Sequence, residues 1–210
     1  MFFSFLSNPI NRDWRGDDYS PPPQNPGPQD GSVSAFGMWV FLSSLFGLFA
    51  SLFVLILIQR NNAPRWPIGV EHMPLGLWLA TALLIGVSLT VQQALRSVRR
   101  DRSDSVRTWL VISGALIILF LGVQGLNWAA LFSHPASDFA RQYLALFYIF
   151  TIFHAAHVLG GLAPITWVTY RAFHNAYTRH HHSGIRNCAL YWHFVDAVWL
   201  VMLPALFWPH

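Results

Sequence analysis

Long runs of apolar residues, separated by short polar segments, make up most of this chain. Five runs are long enough to cross a membrane as helices, since a hydrocarbon core of about 30 Å needs about 20 helical residues. They cover residues 36–59, 75–95, 109–132, 144–170 and 189–208. Helices are expected because lipid offers the backbone no hydrogen-bond partner. The pattern therefore predicts an all-α fold, a polytopic membrane protein whose bundle of five transmembrane helices occupies residues 35–210.

Residues 1–34 differ in composition from the rest of the chain, because they are polar and rich in proline. Five prolines lie between positions 21 and 28. Such a segment favours extended backbone and cannot form a packed core. We therefore expect a disordered tail ahead of the membrane domain.

Composition and charge support the membrane interpretation and orient the bundle. Charged residues make up only 10% of the chain, whereas a typical soluble domain has about 25%. All thirteen basic residues are arginine, and ten of them lie in the tail and in segments 96–107 and 171–187. Because cytoplasmic segments carry the excess of basic residues, the tail is predicted to be cytoplasmic and the C-terminus to lie outside. The arginines form no single basic face, so no nucleic-acid partner is expected.

Small and polar residues recur at helical spacing within the apolar runs. Helices in lipid associate through close packing and interhelical hydrogen bonds, so such residues mark faces that turn toward other helices. The predicted helix-packing positions are Ser44, Gly47, Ser51, Thr81, Ser88 and Gly161, with Gln92 on the same face as Ser88.

Asp196 is the only acidic residue well inside an apolar run. A carboxylate at mid-membrane costs roughly 2.5–3.5 kcal/mol by insertion scales unless it is paired or protonated. His193, one helical turn earlier, can donate to it. A polar clamp between helices is favoured over a proton or ligand site, because no second carboxylate lies nearby to complete an acid–base pair. The predicted buried polar network, in which no residue is assigned a catalytic role, comprises His154, His157, His193, Asp196, Gln124 and Asn127.

The same histidines raise the question of a metal or haem site. His154 and His157 are three residues apart, whereas a zinc-binding helical pair is four apart with a glutamate between. Cys188 is the only cysteine, which excludes a cysteine-based site. We therefore predict no metal ligands and no cofactor bound by this chain. A small histidine-based transporter or membrane cytochrome is the alternative, which haem or metal in the isolated chain would support.

Three segments carry a specific resemblance. Residues 151–161 read Thr-Ile-Phe-His-Ala-Ala-His-Val-Leu-Gly-Gly, and residues 192–199 read Trp-His-Phe-Val-Asp-Ala-Val-Trp. Both are similar to signatures of the haem-copper oxidase (cytochrome c oxidase) subunit III family, and residues 36–44 match that family's opening helix. Gln124 and Trp128 fit its third-helix pattern. The resemblance covers about 36–208 and implies the short five-helix bacterial form, located in the bacterial inner membrane.

This resemblance implies an accessory function in aerobic respiration. Subunit III of such a terminal oxidase has no redox centre; it packs against catalytic subunit I, contacts the other subunits, binds membrane lipids and supports proton uptake. Haem and copper are accordingly expected in partner subunits. The electron donor, cytochrome c or quinol, stays open.

The chain departs from the family pattern at two positions. Leu45 and Asn127 stand where the family usually has acidic residues. Any role of those acids in proton handling cannot be transferred to this chain. An accessory subunit of a nitric oxide reductase is therefore the second functional hypothesis.

Overall fold

Five long helices dominate the computed structural model, which describes residues 30–62, 75–132, 138–175, 177 and 182–207. The helices are α1 (Asp30–Asn62), α2 (Leu75–Arg99), α3 (Ser103–Phe132), α4 (Asp138–Phe173) and α5 (Ser183–Phe207). No β-strand occurs within those ranges. The prediction of an all-α, five-helix membrane bundle is confirmed.

Each helix is long and apolar enough to cross a bilayer. The apolar spans contain 25 to 31 residues, which is about 37–46 Å of helix at 1.5 Å per residue. Large apolar side chains cover the outside of the bundle, among them Trp39, Trp78 and Ile118. A surface of this kind is matched to lipid rather than to water.

Most of the helix ends lie beyond the predicted apolar runs. α1 begins at Asp30 instead of position 36, and α4 begins at Asp138 instead of 144. Hydropathy marks only the part of a helix that lies in hydrocarbon, whereas backbone hydrogen bonding continues into the polar interface. Residues 30–34, expected in the tail, therefore belong to α1. Residues 1–29 of that tail lie outside the described residues.

Four of the helices form a closed ring, in which α2, α3, α4 and α5 each pack against two of the others. α1 lies outside this ring along α5, and it reaches α4 through Phe49, whose ring centre is 6.3 Å from that of Phe150. Only 22% of the most apolar part of α1 is buried, against 50% for α2. α1 is thus the helix with the most surface free for lipid or for another protein.

A tight turn and one arginine fix the arginine-rich end of the bundle. Asp101, between α2 and α3, has φ of 53°, a left-handed conformation that aspartate adopts more readily than most residues. Arg107 at the start of α3 donates from Nη2 to Asn175 Oδ1 at 2.6 Å and from Nε to Ala172 O at 3.3 Å. These bonds hold the start of α3 against the end of α4.

Candidate functional site

Two α2 side chains hold the imidazole of His193 on α5. Its Nδ1 lies 3.0 Å from Ser88 Oγ, and its Nε2 lies 3.1 Å from Gln92 Oε1. Because the Gln92 carbonyl oxygen only accepts, this geometry places the proton on Nε2, and Ser88 then donates to Nδ1. Ser88 and Gln92 are four residues apart, so one face of α2 presents both groups.

Asp196 adds a carboxylate to the same place. It lies one turn beyond His193, beside the Ser88 hydroxyl and the His193 ring. Its Oδ1 atom is buried and accepts no hydrogen bond from the described residues. We name the set Ser88, Gln92, His193 and Asp196 the α2–α5 polar cluster. Gln92 was grouped by the sequence with a packing face, and its bond to His193 is what the structure adds.

The α2–α5 polar cluster lies at the edge of the bundle. Ser88 is 7% exposed and Asp196 is partly buried, but His193 is exposed. The sequence predicted a buried His193, whereas no described helix of this chain covers that side of α5. The cluster therefore combines a partly buried carboxylate with an imidazole at the outer surface.

His154 on α4 is in a different environment, fully buried among aromatic rings. Its ring centre lies 4.9 Å from that of Trp199, 6.1 Å from that of Phe120 and 6.4 Å from that of Phe49. Neither ring nitrogen has a hydrogen-bond partner among the described residues. A neutral imidazole packed as an aromatic ring is what this position can accommodate, since an unpaired buried charge is very costly.

Gln124 on α3 faces the same interior. It is 1% exposed, and neither amide atom has a hydrogen-bond partner among the described residues. One turn further along α3, Trp128 Nε1 donates to Thr151 Oγ1 on α4 at 3.0 Å. On the other side of Gln124, one turn earlier, the Phe120 ring lies against His154 of α4. Gln124 thus lies between two contacts of α3 with α4.

His157 and Asn127 lie elsewhere again. His157 Nδ1 lies 2.6 Å from the carbonyl oxygen of Phe153 on its own helix, and its ring centre is 5.0 Å from that of Phe49. Asn127 packs so closely against Gly76 of α2 that its Oδ1 lies where a Cβ on residue 76 would be. Among the described residues, hydrogen bonds do not join the six predicted polar residues into one network. His193 and Asp196 share the α2–α5 contact, and the other four lie at other positions in the bundle.

The predicted packing positions form two groups, one in contact with a neighbouring helix and one exposed on the outside of the bundle. Thr81 Oγ1 accepts from Trp199 Nε1 at 2.9 Å, and a Cβ on Gly161 would come within 2.7 Å of Trp192, so both contact α5. By contrast, α1 turns its predicted stripe of Ser44, Gly47 and Ser51 to the outside, where the three residues are exposed. A small-residue stripe indicates a helix contact but does not say which chain supplies the other helix.

The sequence analysis missed the aromatic donors that join these helices. Trp199 and Trp128 each donate to a threonine hydroxyl across a helix contact, and Tyr191 donates to the carbonyl oxygen of His157 at 2.7 Å. The available signal was a tryptophan within an apolar run, since a buried indole N–H usually finds an acceptor. In the described ranges, no three His, Cys, Asp or Glu residues cluster closely enough to hold a metal ion.

Comparison with known proteins shows which family has this sequence pattern. A family model described as "Cytochrome c oxidase subunit III" matches residues 29–210. Cytochrome c oxidase subunit 3 of Synechocystis sp. is 32% identical over 170 residues, covering 80% of this chain and 72% of that protein. The probable cytochrome c oxidase subunit 3 of Mycobacterium leprae is 31% identical over 180 residues, covering 84% and 88%.

A relative named as a subunit of a quinol oxidase also matches. The probable quinol oxidase subunit 3 of Staphylococcus haemolyticus is 25% identical over 181 residues, covering 85% of this chain and 90% of that protein. The match of the family model to the whole predicted membrane domain agrees with the motifs at residues 151–161 and 192–199. This five-helix chain belongs to the cytochrome c oxidase subunit III family.

Proposed function

We propose that this chain is the accessory, non-redox subunit III of a haem-copper terminal oxidase in aerobic respiratory electron transport. It packs against catalytic subunit I and the other subunits, stabilises them and supports proton uptake. The haems and copper are held by those partner subunits. The observation that carries this proposal is the family match over residues 29–210. It is supported by polar groups that serve helix contacts, such as Trp199 with Thr81.

Membrane lipid is the second proposed partner. An apolar cavity of about 430 Å³ opens between α1, α4 and α5, lined by Phe49, Phe53, Phe150, Val201 and Met202 among others. Because its walls are almost wholly hydrocarbon, an acyl chain is the ligand that suits it.

We also propose that the multi-pass chain has its N-terminus in the cytoplasm. Arg107 links the start of α3 to the end of α4, so the arginines of segment 96–107 and Arg171 lie at one end of the bundle. The positive-inside rule assigns that end to the cytoplasm. Reporter fusions after the 96–107 turn and at the C-terminus should report opposite sides of the membrane.

Co-purification tests the proposal directly. The tagged full-length chain, extracted in mild detergent, should bring down a larger subunit with haem absorbance, and its deletion should lower oxygen consumption by membranes. A stable, colourless and partner-free chain would contradict the proposal. Haem or stoichiometric metal in the chain separated from its partners would instead support the transporter or cytochrome alternative.

The replacement of two family acids by Leu45 and Asn127 favours one second candidate, an accessory subunit of a nitric oxide reductase. The same deletion strain separates the two complexes. Oxygen consumption falls if the complex is an oxidase, and nitric oxide consumption falls if it is a nitric oxide reductase. An unchanged nitric oxide rate eliminates the second candidate.

A further inference from the structure

The α2–α5 polar cluster lies near the middle of two membrane-spanning helices. Ser88 and Asp196 are central in α2 (Leu75–Arg99) and α5 (Ser183–Phe207), and His193 and Gln92 lie one turn away. At this depth the surrounding solvent is hydrocarbon. An ionisable group here is expensive to expose, and such groups nearly always face protein or a water-filled cavity. The His193 ring is bonded to α2, but the residue is exposed and no described helix of this chain covers its outer side.

Among the described residues, the outer faces of α1 and α3 at the same depth have no ionisable side chain. On α3 the outward residues are apolar, for example Ile118 at 64% and Leu119 at 54% exposure. On α1 the exposed hydroxyls of Ser43 and Ser51 donate to carbonyl oxygens of their own helix, at 2.9 and 2.8 Å. Those faces suit lipid as they stand. The α2–α5 face, with an imidazole and a carboxylate, does not.

The acceptor positions of the cluster that have no hydrogen bond indicate what kind of group should cover it. Both ring nitrogens of His193 are already bonded to α2. Asp196 has two carboxylate oxygens with several acceptor positions, and the hydroxyl beside it, that of Ser88, already donates its proton to His193 Nδ1. Oδ1 is buried and has no partner among the described residues, so a group from outside the chain can reach this partly buried side chain only at its other oxygen. The missing group is therefore a hydrogen-bond donor. A lipid headgroup cannot supply it, because headgroups lie at the membrane surface and not at the midplane.

We infer that the face formed by the α2–α5 polar cluster and the flanking Leu89 and Leu200 is the docking surface for a transmembrane helix of a partner subunit. That helix presents a hydroxyl, amide or cationic donor to the Asp196 carboxylate and removes His193 from lipid. Leu89 is 60% and Leu200 is 44% exposed in the chain alone. The inference rests on the proposed function, which supplies a partner subunit but does not say which face it binds.

Site-specific photo-cross-linking in native membranes tests the surface. The photoreactive residue p-benzoylphenylalanine replaces Leu89 or Leu200, and Ile118 on the outer face of α3 is the matched control at similar depth and exposure. Cross-links to a larger membrane subunit are expected from positions 89 and 200, and lipid adducts alone from position 118. The tagged chain is then purified in parallel to establish whether the complex has assembled.

The outcomes separate this inference from the proposal on which it rests. Co-purification of the haem subunit with cross-links only from position 118 would keep the proposed function and overturn the docking surface. The same co-purification with lipid or water adducts alone at 89 and 200 would overturn it as well, since the cluster would then face lipid or a hydrated cavity. If neither the unmodified chain nor any variant retained a partner, both the docking surface and the proposed function would be contradicted.

A pair of variants of the cluster adds a second readout. Asp196→Asn keeps a polar side chain of the same shape, whereas Asp196→Leu removes all acceptors. With the photoreactive residue at position 89, the cross-linked band should persist in Asp196→Asn and be weakened in Asp196→Leu. Equal bands in both variants would show that Asp196 does not contact the partner helix.

Discussion

Gly161→Ala is the substitution whose consequence the structure fixes most closely. Gly161 lies on α4 where that helix crosses α5. A Cβ added there would lie 2.7 Å from Cζ2 of Trp192 and 2.8 Å from Cε1 of Tyr191. Ordinary carbon–carbon contacts are about 3.5–4.0 Å, so one helix must move by nearly an ångström or the rings must leave their positions.

Neither ring can move freely. Trp192 is 1% and Tyr191 is 6% exposed, and the Tyr191 hydroxyl donates to the carbonyl oxygen of His157 at 2.7 Å. Overpacking of a well-packed site costs about 1–3 kcal/mol. A loss of that size lowers the ratio of folded to unfolded protein by a factor of about 5 to 150, since 1.4 kcal/mol is a factor of ten.

Gly160→Ala is the matched control. It lies one position away on the same helix, and a Cβ there meets no atom within 4 Å. Both substitutions gain the same preference of alanine over glycine in a helix, about 0.8–1 kcal/mol. The difference in their free energies of unfolding, measured by SDS titration in mixed micelles, therefore isolates the steric term. If Gly161→Ala proved as stable as Gly160→Ala, the close approach of α4 and α5 at this position would be refuted.

Three further substitutions test the polar contacts. Trp199→Phe removes the indole donor to Thr81 and should lower the free energy of unfolding by about 0.6–2 kcal/mol in the same titration; no loss would mean that the bond contributes nothing. His154→Phe replaces two unpartnered nitrogens by carbon and should leave stability unchanged or raise it by about 1 kcal/mol, while a clear loss would reveal a polar partner for the ring. Asp196→Leu should reduce the yield of assembled complex, through a lost interaction of about 0.6–2 kcal/mol, with turnover per complex unchanged. Normal yield with altered proton pumping would show that Asp196 acts in chemistry instead.

Sequence reasoning predicted the five helices because hydrocarbon imposes both their length and their composition. It underestimated the lengths of helices such as α4, which begins at Asp138 because the helix continues into the polar interface. It also identified Thr81, Ser88 and Gly161 as packing positions, and each of them contacts α5. Helical spacing is sufficient to find such a face.

Helical spacing is not sufficient to find the partner of a face. His193 was paired with Asp196 because they share a face of α5, but its ring nitrogens bond to Ser88 and Gln92 of α2. That pairing depends on the relative height of two helices far apart in sequence, which periodicity does not contain. For the same reason Gly47 was placed at a packing face, although a Cβ there would meet no atom within 4 Å.

Leu45 and Asn127, at positions where the family usually has acidic residues, limit the ways in which this chain can support proton uptake. Leu45 is 8% exposed and lies in the apolar core, and Asn127 fills the space beside Gly76. Both residues are thus accommodated as packing groups, and neither can carry a proton. The carboxylate that remains at mid-membrane is Asp196, whose neighbours His193 and Ser88 lie at the edge of the bundle. The proposed support of proton uptake is therefore expected to act through contact with the catalytic subunit at that edge, and not through a path of acids inside this chain.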